Sequence, residues 1–252
     1  TVSRVLNQSP NVSQKTRERV EAVMKEAQYT PNIFARGLGL NSMKMIGVLC
    51  TDVSDIFYAQ AVSIIENNLR REGYHAILCC TGNEIENKKK SIELLLSKRV
   101  DAIILVGSAF QEQFDHSHIE AAAKKVPVIV INGLIELPNT YCILCDEYKA
   151  VFQTVSSMLS GGCRKILYLY DSQTYSGMKK LMGYQDACEA FGISYEQQIM
   201  QKVPKNLESV TQIVLESRDE KGNFPFDGVM ASEDLLAIGA LKALKGKNIP
   251  VV

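Results

Sequence analysis

The 252-residue sequence has no net charge, with 28 basic side chains against 28 acidic ones, and only three histidines, at positions 75, 116 and 118. It has no run approaching the roughly 18 consecutive apolar residues of a membrane helix. It also has no internal repeat of fixed period and no low-complexity tract. With 22% charged and 46% hydrophobic residues, disorder and collagen-like repetition are excluded and a sizeable core is available. At roughly 100–200 residues per domain, the length suggests two domains with room for a small appendage. Seven cysteines, an odd number in a large chain, predict reduced thiols and a cytoplasmic setting rather than a disulfide framework.

Catalytic and nucleotide-binding patterns are missing as well. His116 and His118 lie in the polar segment Phe114-Asp115-His116-Ser117-His118. With no Gly-x-Ser-x-Gly elbow, they read as an exposed helix start and not as part of a nucleophilic triad. Gly37-Leu38-Gly39 follows a helical segment, so the dinucleotide-binding fingerprint fails its context, and residues 239–247 lack Walker spacing. Cys142-Ile143-Leu144-Cys145 is a single CxxC pair that cannot complete a zinc tetrahedron. It and Cys79-Cys80 fall in strand-like apolar runs, where small buried hydrophobes are expected. No enzymatic activity, metal or cofactor is expected.

What is present is an asymmetry beneath the neutral total. Residues 1–44 carry seven basic and three acidic side chains, so an excess of four there is balanced by a deficit of four in the remainder. A basic end on an acidic body is the layout of a nucleic-acid-binding head on a separate module, although a solvated helix face would look the same. Thr1 to Asn7 reads as a helix already under way, and Asn7-Gln8-Ser9-Pro10-Asn11 as a turn. Ser13 then caps a helix with apolar positions Val20, Val23, Met24 and Ala27. A second short helical stretch, Asn32 to Leu40, contains Gly37 and Gly39. Each glycine costs about 1 kcal/mol relative to alanine, so this segment should need a partner to fold on.

From Met45 onward, strand and helix signals alternate. Predicted strands are Met45–Leu49, Ala76–Cys80, Ala102–Val106, Val126–Ile131, Tyr141–Leu144, Lys165–Tyr170, Gly228–Ala231 and Ile249–Val252. Predicted helices are Phe57–Arg71, Lys88–Lys98, Glu147–Leu159, Lys179–Phe191, Leu207–Arg218 and Leu235–Leu244. Apolar strands alternating with helices imply an α/β fold with parallel sheets flanked by helices, divided into two subdomains near Asp146-Glu147. On the first helix, Ala61, Ile64, Ile65 and Leu69 could face either the core or a second subunit. The chain opens inside a helix and closes at the start of a strand, so both ends are expected to be cut within motifs.

Ligands of open α/β sheets bind at the carboxyl ends of the strands. There stand Asp52, Ser54 and Asp55, Ser108, Asn132, Asp146, Asp171, Ser232, Glu233 and Asp234, with Phe57 and Tyr58 beside the first strand. Carboxylates and amides over aromatic faces suit a small polyhydroxylated ligand, and plain solvated loops are the alternative.

The residues resemble the LacI/GalR family of transcriptional repressors along essentially the whole chain. Thr1-Val2-Ser3-Arg4-Val5-Leu6-Asn7 resembles that family's recognition helix. Val12-Ser13 through Thr16-Arg17 and Val20, then Tyr29-x-Pro31-Asn32-x-x-Ala35-Arg36-x-Leu38, resemble its third helix and hinge helix. In the body, Met45-Ile46-Gly47-Val48-Leu49 with Asp55-Ile56-Phe57-Tyr58, Gly162-Cys163-Arg164-Lys165-Ile166, Gly183-Tyr184 with Ala187, and Asp234 to Leu241 resemble later landmarks.

The resemblance implies a periplasmic-binding-protein-like body preceded by a partial helix-turn-helix head. It divides the chain into a head at 1–31, a hinge helix and linker at 32–44, and effector-binding subdomains at 45–145 and 146–252. DNA contacts would come from Thr1, Ser3, Arg4, Asn7, Ser13, Thr16, Tyr29, Asn32, Ala35, Arg36 and Leu38. Arg4 would read guanine edges, the hydroxyls and amides would hold phosphates, and Leu38 would wedge into the minor groove. Effector contacts would come from Asp55, Phe57, Tyr58, Ser108, Asn132, Asp146, Lys180 and Asp234. Asn132-Gly133 stands where the family usually has Asp-Arg, Lys180 where a sugar-contacting arginine is common, and Glu233 where asparagine is frequent. Lysine cannot form arginine's bidentate fork, so a sugar phosphate is a candidate beside a neutral sugar.

The implied partners are double-stranded operator DNA, that small-molecule effector and a second copy of the chain. The implied activity is ligand-responsive repression in the cytoplasm. Two alternatives are a periplasmic-type sugar-binding protein of a transporter and a regulator whose main co-effector is a protein. The basic head at residues 1–44 argues against the first, and the Asp55-Ile56-Phe57-Tyr58 turn keeps the second open.

Overall fold

The computed structural model of the chain describes residues 2–6, 9–29, 42–112 and 115–252. The described residues form nine helices and eight strands, and the chain clusters into two compact units. One unit comprises Thr1–Gly107, Phe114–Val130 and Glu136–Tyr141, and the other Ser108–Gln113, Ile131–Ile135 and Cys142–Val252. The chain therefore changes unit several times before residue 146, instead of once at Asp146-Glu147.

The first unit opens with α1 (Val2–Leu6) and α2 (Gln14–Glu26). Ser13 caps α2 as its sequence position predicts, its Oγ accepting the Thr16 amide at 3.3 Å. The helix closes where Gln28 turns to φ +47° and the Tyr29 amide reaches back to the Met24 carbonyl at 2.9 Å. The predicted apolar stripe is not a buried core. No residue of α2 is buried, and Val23 is 57% exposed. The predicted helical stretch at 32–40 lies outside the described residues.

A five-stranded sheet follows, made of β1 (Met45–Cys50), β2 (His75–Cys80), β3 (Ala102–Val106), β4 (Val128–Ile131) and β5 (Thr140–Ile143), in the order β2-β1-β3-β4-β5. Strand β1 runs parallel to both of its neighbours. The helices are α3 (Ile56–Arg71), α4 (Ile85–Ser97) and α5 (Ser117–Ala123). Val48, Leu49, Ile103 and Leu105 of the central strands are buried, as are Ile92 and Leu95 of α4 and Ile119 and Ala122 of α5. On α3, Ala61, Ile65 and Leu69 turn partly inward, whereas Ile64 is 63% exposed.

Strand β4 begins two residues later than predicted. The Val126 amide still bonds back to Ala122, and Pro127, with no N–H of its own, only accepts from Ile103. Helix α5 begins where the sequence predicts a helix start, but it places His118 on its buried side, so that histidine is not exposed.

In the second unit, β6 (Ile166–Tyr170), β7 (Ile199–Lys202) and β8 (Gly228–Ala231) form a parallel sheet in the order β7-β6-β8. The predicted strand at Ile249–Val252 reduces to a single bridge from Val251 to Val229. Helices α6 (Glu147–Ser160), α7 (Tyr175–Ala190), α8 (Leu207–Glu216) and α9 (Asp234–Ala243) cover both faces. Strand alternation divides the core. Leu167, Leu169, Val229 and Ala231 pack with Val210, Val214, Leu236 and Ala240 on one side. Ile166, Tyr168 and Met230 pack with Val151, Val155, Tyr184 and Ala187 on the other. The rings of Tyr168 and Tyr184 stack at 4.8 Å, and the Tyr184 hydroxyl donates to the Ile166 carbonyl at 2.8 Å. Burial raises both phenol pKa values, so these side chains stay neutral.

All seven cysteines are free. Cys50 and Cys188 are buried, but Cys80 and Cys145 are exposed, contrary to the expectation of small buried hydrophobes. Strands β2 and β5 are the two rims of their sheet, and a rim strand need not be covered on both faces. Tyr141 and Ile143 of β5 are exposed for the same reason.

Candidate DNA-binding and effector sites

In the head, Ser13 and Thr16 present hydroxyls 2.9 Å apart at the start of α2, whose first turn has no acidic side chain. A helix N-terminus in that state favours an anion such as a backbone phosphate. Capping and phosphate contact can share Ser13, since the cap uses its oxygen as an acceptor while its hydrogen remains a donor. Arg4 is exposed on α1, Ser3 lies within the same helix, and Tyr29 is exposed beyond the end of α2. Thr1, Asn7, Asn32, Ala35, Arg36 and Leu38 lie outside the described residues.

Arg17, which was not among the predicted contacts, sets the geometry of the head. Its guanidinium donates to the Val5 carbonyl at 3.4 Å and to the Ser9 carbonyl at 3.1 Å, binding the end of α1 and the turn to α2. Beneath it, Val5 is buried, and a hollow of about 530 Å³ is lined by Val5, Leu6, Arg17, Glu21 and Met24. Arg17→Lys keeps the charge but cannot span both carbonyls. It is expected to weaken specific operator binding by about 10-fold, roughly 1.4 kcal/mol, with non-specific binding little changed. Parallel gel shifts on operator and random duplex check this, and unchanged operator binding would show that Arg17 acts only through its charge.

In the first unit, the effector candidates gather at the carboxyl end of β1. Asp52 accepts the Ser54 amide and Asp55 the Phe57 amide, each at 2.8 Å, so Asp55 is also the cap of α3. Phe57 and Tyr58 meet edge to face at 5.2 Å. Tyr58 lies against Gly107, where an added Cβ would come within 2.6 Å of the ring and φ is +104°. Glycine is required there on both counts.

In the second unit, Ser108 is buried in a single 3-10 turn, Ser108–Phe110. Asn132 holds φ +62° and donates from Nδ2 to Glu147 Oε1 at 3.0 Å. The other oxygen of Glu147 accepts from the hydroxyl of the buried Ser176. Asn132, predicted as a ligand contact, is thus engaged in a chain that ties the turn after β4 to α6 and α7. Asp146 caps α6 through the Lys149 amide at 3.0 Å. Together with Glu147, Leu144, Cys145, Tyr148, Tyr175 and Lys179, it lines a hollow of about 350 Å³.

Lys180 donates from Nζ to the Ser232 carbonyl at 2.8 Å, Glu233 pairs with Lys205, and Asp234 is exposed at the first turn of α9. Lys180 therefore braces the end of β8 beside Asp234. Carboxylates, phenols and an ammonium group around a hollow of this size can bond a ligand rich in hydroxyls. Sequence reasoning missed Glu147, Ser176, Tyr175 and Lys179, because it took candidates from strand ends and these stand in the first two turns of α6 and α7.

Head and body together define a DNA-binding helical module on an α/β ligand-binding body. Residues 43–251 match the family described as periplasmic binding proteins and sugar binding domain of LacI family, and residues 1–32 the bacterial regulatory proteins, lacI family. The chain belongs to the LacI family of transcriptional regulators. It is 50% identical over 254 residues to an HTH-type transcriptional regulator of Lachnoclostridium phytofermentans, covering 99% of this chain and 76% of that one. It is 30% identical over 262 residues to Catabolite control protein A of Priestia megaterium, covering 99% and 75%. In fold it is similar to the lac repressor dimer bound to operator and an anti-inducer, with TM-score 0.81 at 24% identity, over 96% of this chain and 72% of that one. Among the described residues, no helix is long and apolar enough to cross a membrane.

Proposed function

We propose that the chain is a cytoplasmic, homodimeric repressor that binds operator DNA through its head and responds to a sugar or sugar phosphate held at the strand ends of its body. The observation that carries this reading is one chain holding both a helix N-terminus suited to phosphate, at Ser13 and Thr16, and a hydroxyl-binding hollow around Asp146 and Glu147. The reading assigns the chain binding and switching, not catalysis. The effector must bind one conformation of the body better than another for DNA affinity to change. A protein co-effector is the second reading, favoured by the 73% exposure of Ile56 beside Phe57.

A salt-titrated gel shift of the full-length protein, across a panel of sugars and sugar phosphates, tests both halves. Operator affinity is expected to fall steeply with salt and to change with at least one compound. Negligible binding to any duplex at low salt would overturn the repressor reading. Specific binding that no small molecule alters would overturn the effector reading and favour the protein co-effector. Leu38→Ala is expected to weaken specific binding far more than non-specific binding, and equal losses would remove its assignment as a wedge.

A further inference from the structure

Cys50 and Cys80 end two adjacent parallel strands and stand directly opposite one another in register. Strands in a sheet lie about 4.8 Å apart, inside the roughly 4.4–6.8 Å range of Cα separations that a disulfide spans. Their side chains point to the same face, with the sulfurs already 3.9 Å apart. The two thiols differ in access, since Cys50 is buried and Cys80 is exposed on the rim strand β2. Cys79 is next in sequence, but alternation along the strand turns it to the opposite face. The amides of Thr81 and Gly82 bond the carbonyls of Cys50 and Thr51 at 3.0 and 2.9 Å, holding the two strand ends in register just beyond the pair.

We infer that Cys50 and Cys80 form a peroxide-sensitive dithiol at the base of the Thr51–Asp55 turn, with Cys80 as the attacked thiol and Cys50 as the resolving one. The thiolate of Cys80 displaces hydroxide from hydrogen peroxide and becomes a sulfenic acid. The sulfur of Cys50 then attacks the Cys80 sulfur. The S–O bond breaks, the S–S bond forms, and the Cys50 proton leaves with the hydroxyl as water. Each disulfide thus consumes one peroxide and two thiols. Burial and the neighbouring Cys80 push the Cys50 thiol up to about 12, so it is a poor first target for oxidant and carries the proton the second step needs. The site stands on the geometry of β1 and β2 and does not depend on the identity of any effector.

Peptide mapping of the full-length protein after treatment with hydrogen peroxide and alkylation tests the inference. The expected product is a Cys50–Cys80 cross-linked peptide lighter by two hydrogens, with a loss of two titratable thiols per chain that dithiothreitol reverses. In Cys50→Ser, Cys80 is expected to remain as a sulfenic acid that dimedone traps. In Cys80→Ser, Cys50 should stay reduced. A Cys79–Cys80 link, a covalent dimer through Cys80, or a sulfinic acid at Cys80 beside a free Cys50 would each overturn the assignment. Mapping of the unsubstituted protein decides the matter even if the Cys50 variant fails to fold.

Discussion

Replacing Gly183 with alanine is expected to destabilise the second unit by about 3 kcal/mol, the upper part of the usual cost of overpacking. Gly183 lies on α7 where that helix crosses α6. A Cβ there would stand 2.4 Å from the Tyr148 carbonyl oxygen and 3.1 Å from the Phe152 nitrogen. Both are backbone atoms of a helix, so no rotamer change relieves the contact and the helices must separate. The roughly 1 kcal/mol by which alanine ordinarily improves a helix interior is too small to compensate. Separation would also move Glu147 away from Asn132 and Ser176, because Glu147 occupies the turn of α6 next to the crossing. Urea denaturation should therefore show a lower midpoint at unchanged slope, with weaker effector binding in the residual folded protein. A Gly183→Ala variant as stable as the parent would mean that α6 and α7 do not pack this closely in solution.

Asp101→Ala is expected to have the second large effect, on coupling more than on global stability. The Asp101 carboxylate accepts the Ser42 hydroxyl and the Met43 amide at 3.0 Å each, and the Met45 amide at 3.1 Å. Three contacts on one carboxylate hold the chain as it enters β1, and a hydrogen bond to a charged group contributes a net of about 1.5–3 kcal/mol. This anchor holds the last residues of the segment, 32–44, that the family resemblance assigns to the hinge helix and linker. Its loss should release residues 42–45 and bring the ratio of operator affinities with and without effector toward one. Asp101→Asn should do nearly as much damage, because the new amide group would face a backbone N–H. Hydrogen exchange at the amides of Met43 and Met45 is the direct measurement, with protection expected to fall about 10-fold or more. Unchanged protection would show that the anchor is dispensable.

The sequence was most informative where a strand is buried on both sides. Ala102–Val106 and Gly228–Ala231 occupy the predicted bounds, because an unbroken apolar run leaves few alternatives. Strand β7, Ile-Met-Gln-Lys, was missed because it is a half-exposed rim strand whose composition resembles a loop. Helix α7 begins four residues before the predicted start, since Tyr-Ser-Gly is a poor opening turn until Thr174 caps it through the Gly177 amide.

The same division holds for the site. Asp55 and Asp146 were legible because they follow strands and precede helices. Glu147, Asp101 and Asp227 were not, because their roles depend on partners distant in sequence. Asp227, for example, accepts the amides of Arg164 and Lys165 from more than sixty positions away. No local pattern encodes such a partner. The cysteine pair shows the same limit, since the sequence contains both residues but not the register that sets one opposite the other.

The interleaving of the two units along the chain has a consequence for recombination between relatives. Exchanging everything after residue 146 to transfer effector preference would leave Ser108–Gln113 and Ile131–Ile135 behind, although both cluster with the second unit. The chimera would set one parent's Asn132 against the other parent's residue at the Glu147 position. Swaps that carry all of these segments together should yield folded hybrids more often than a single crossover, so the second unit is inherited as a mosaic and not as a block.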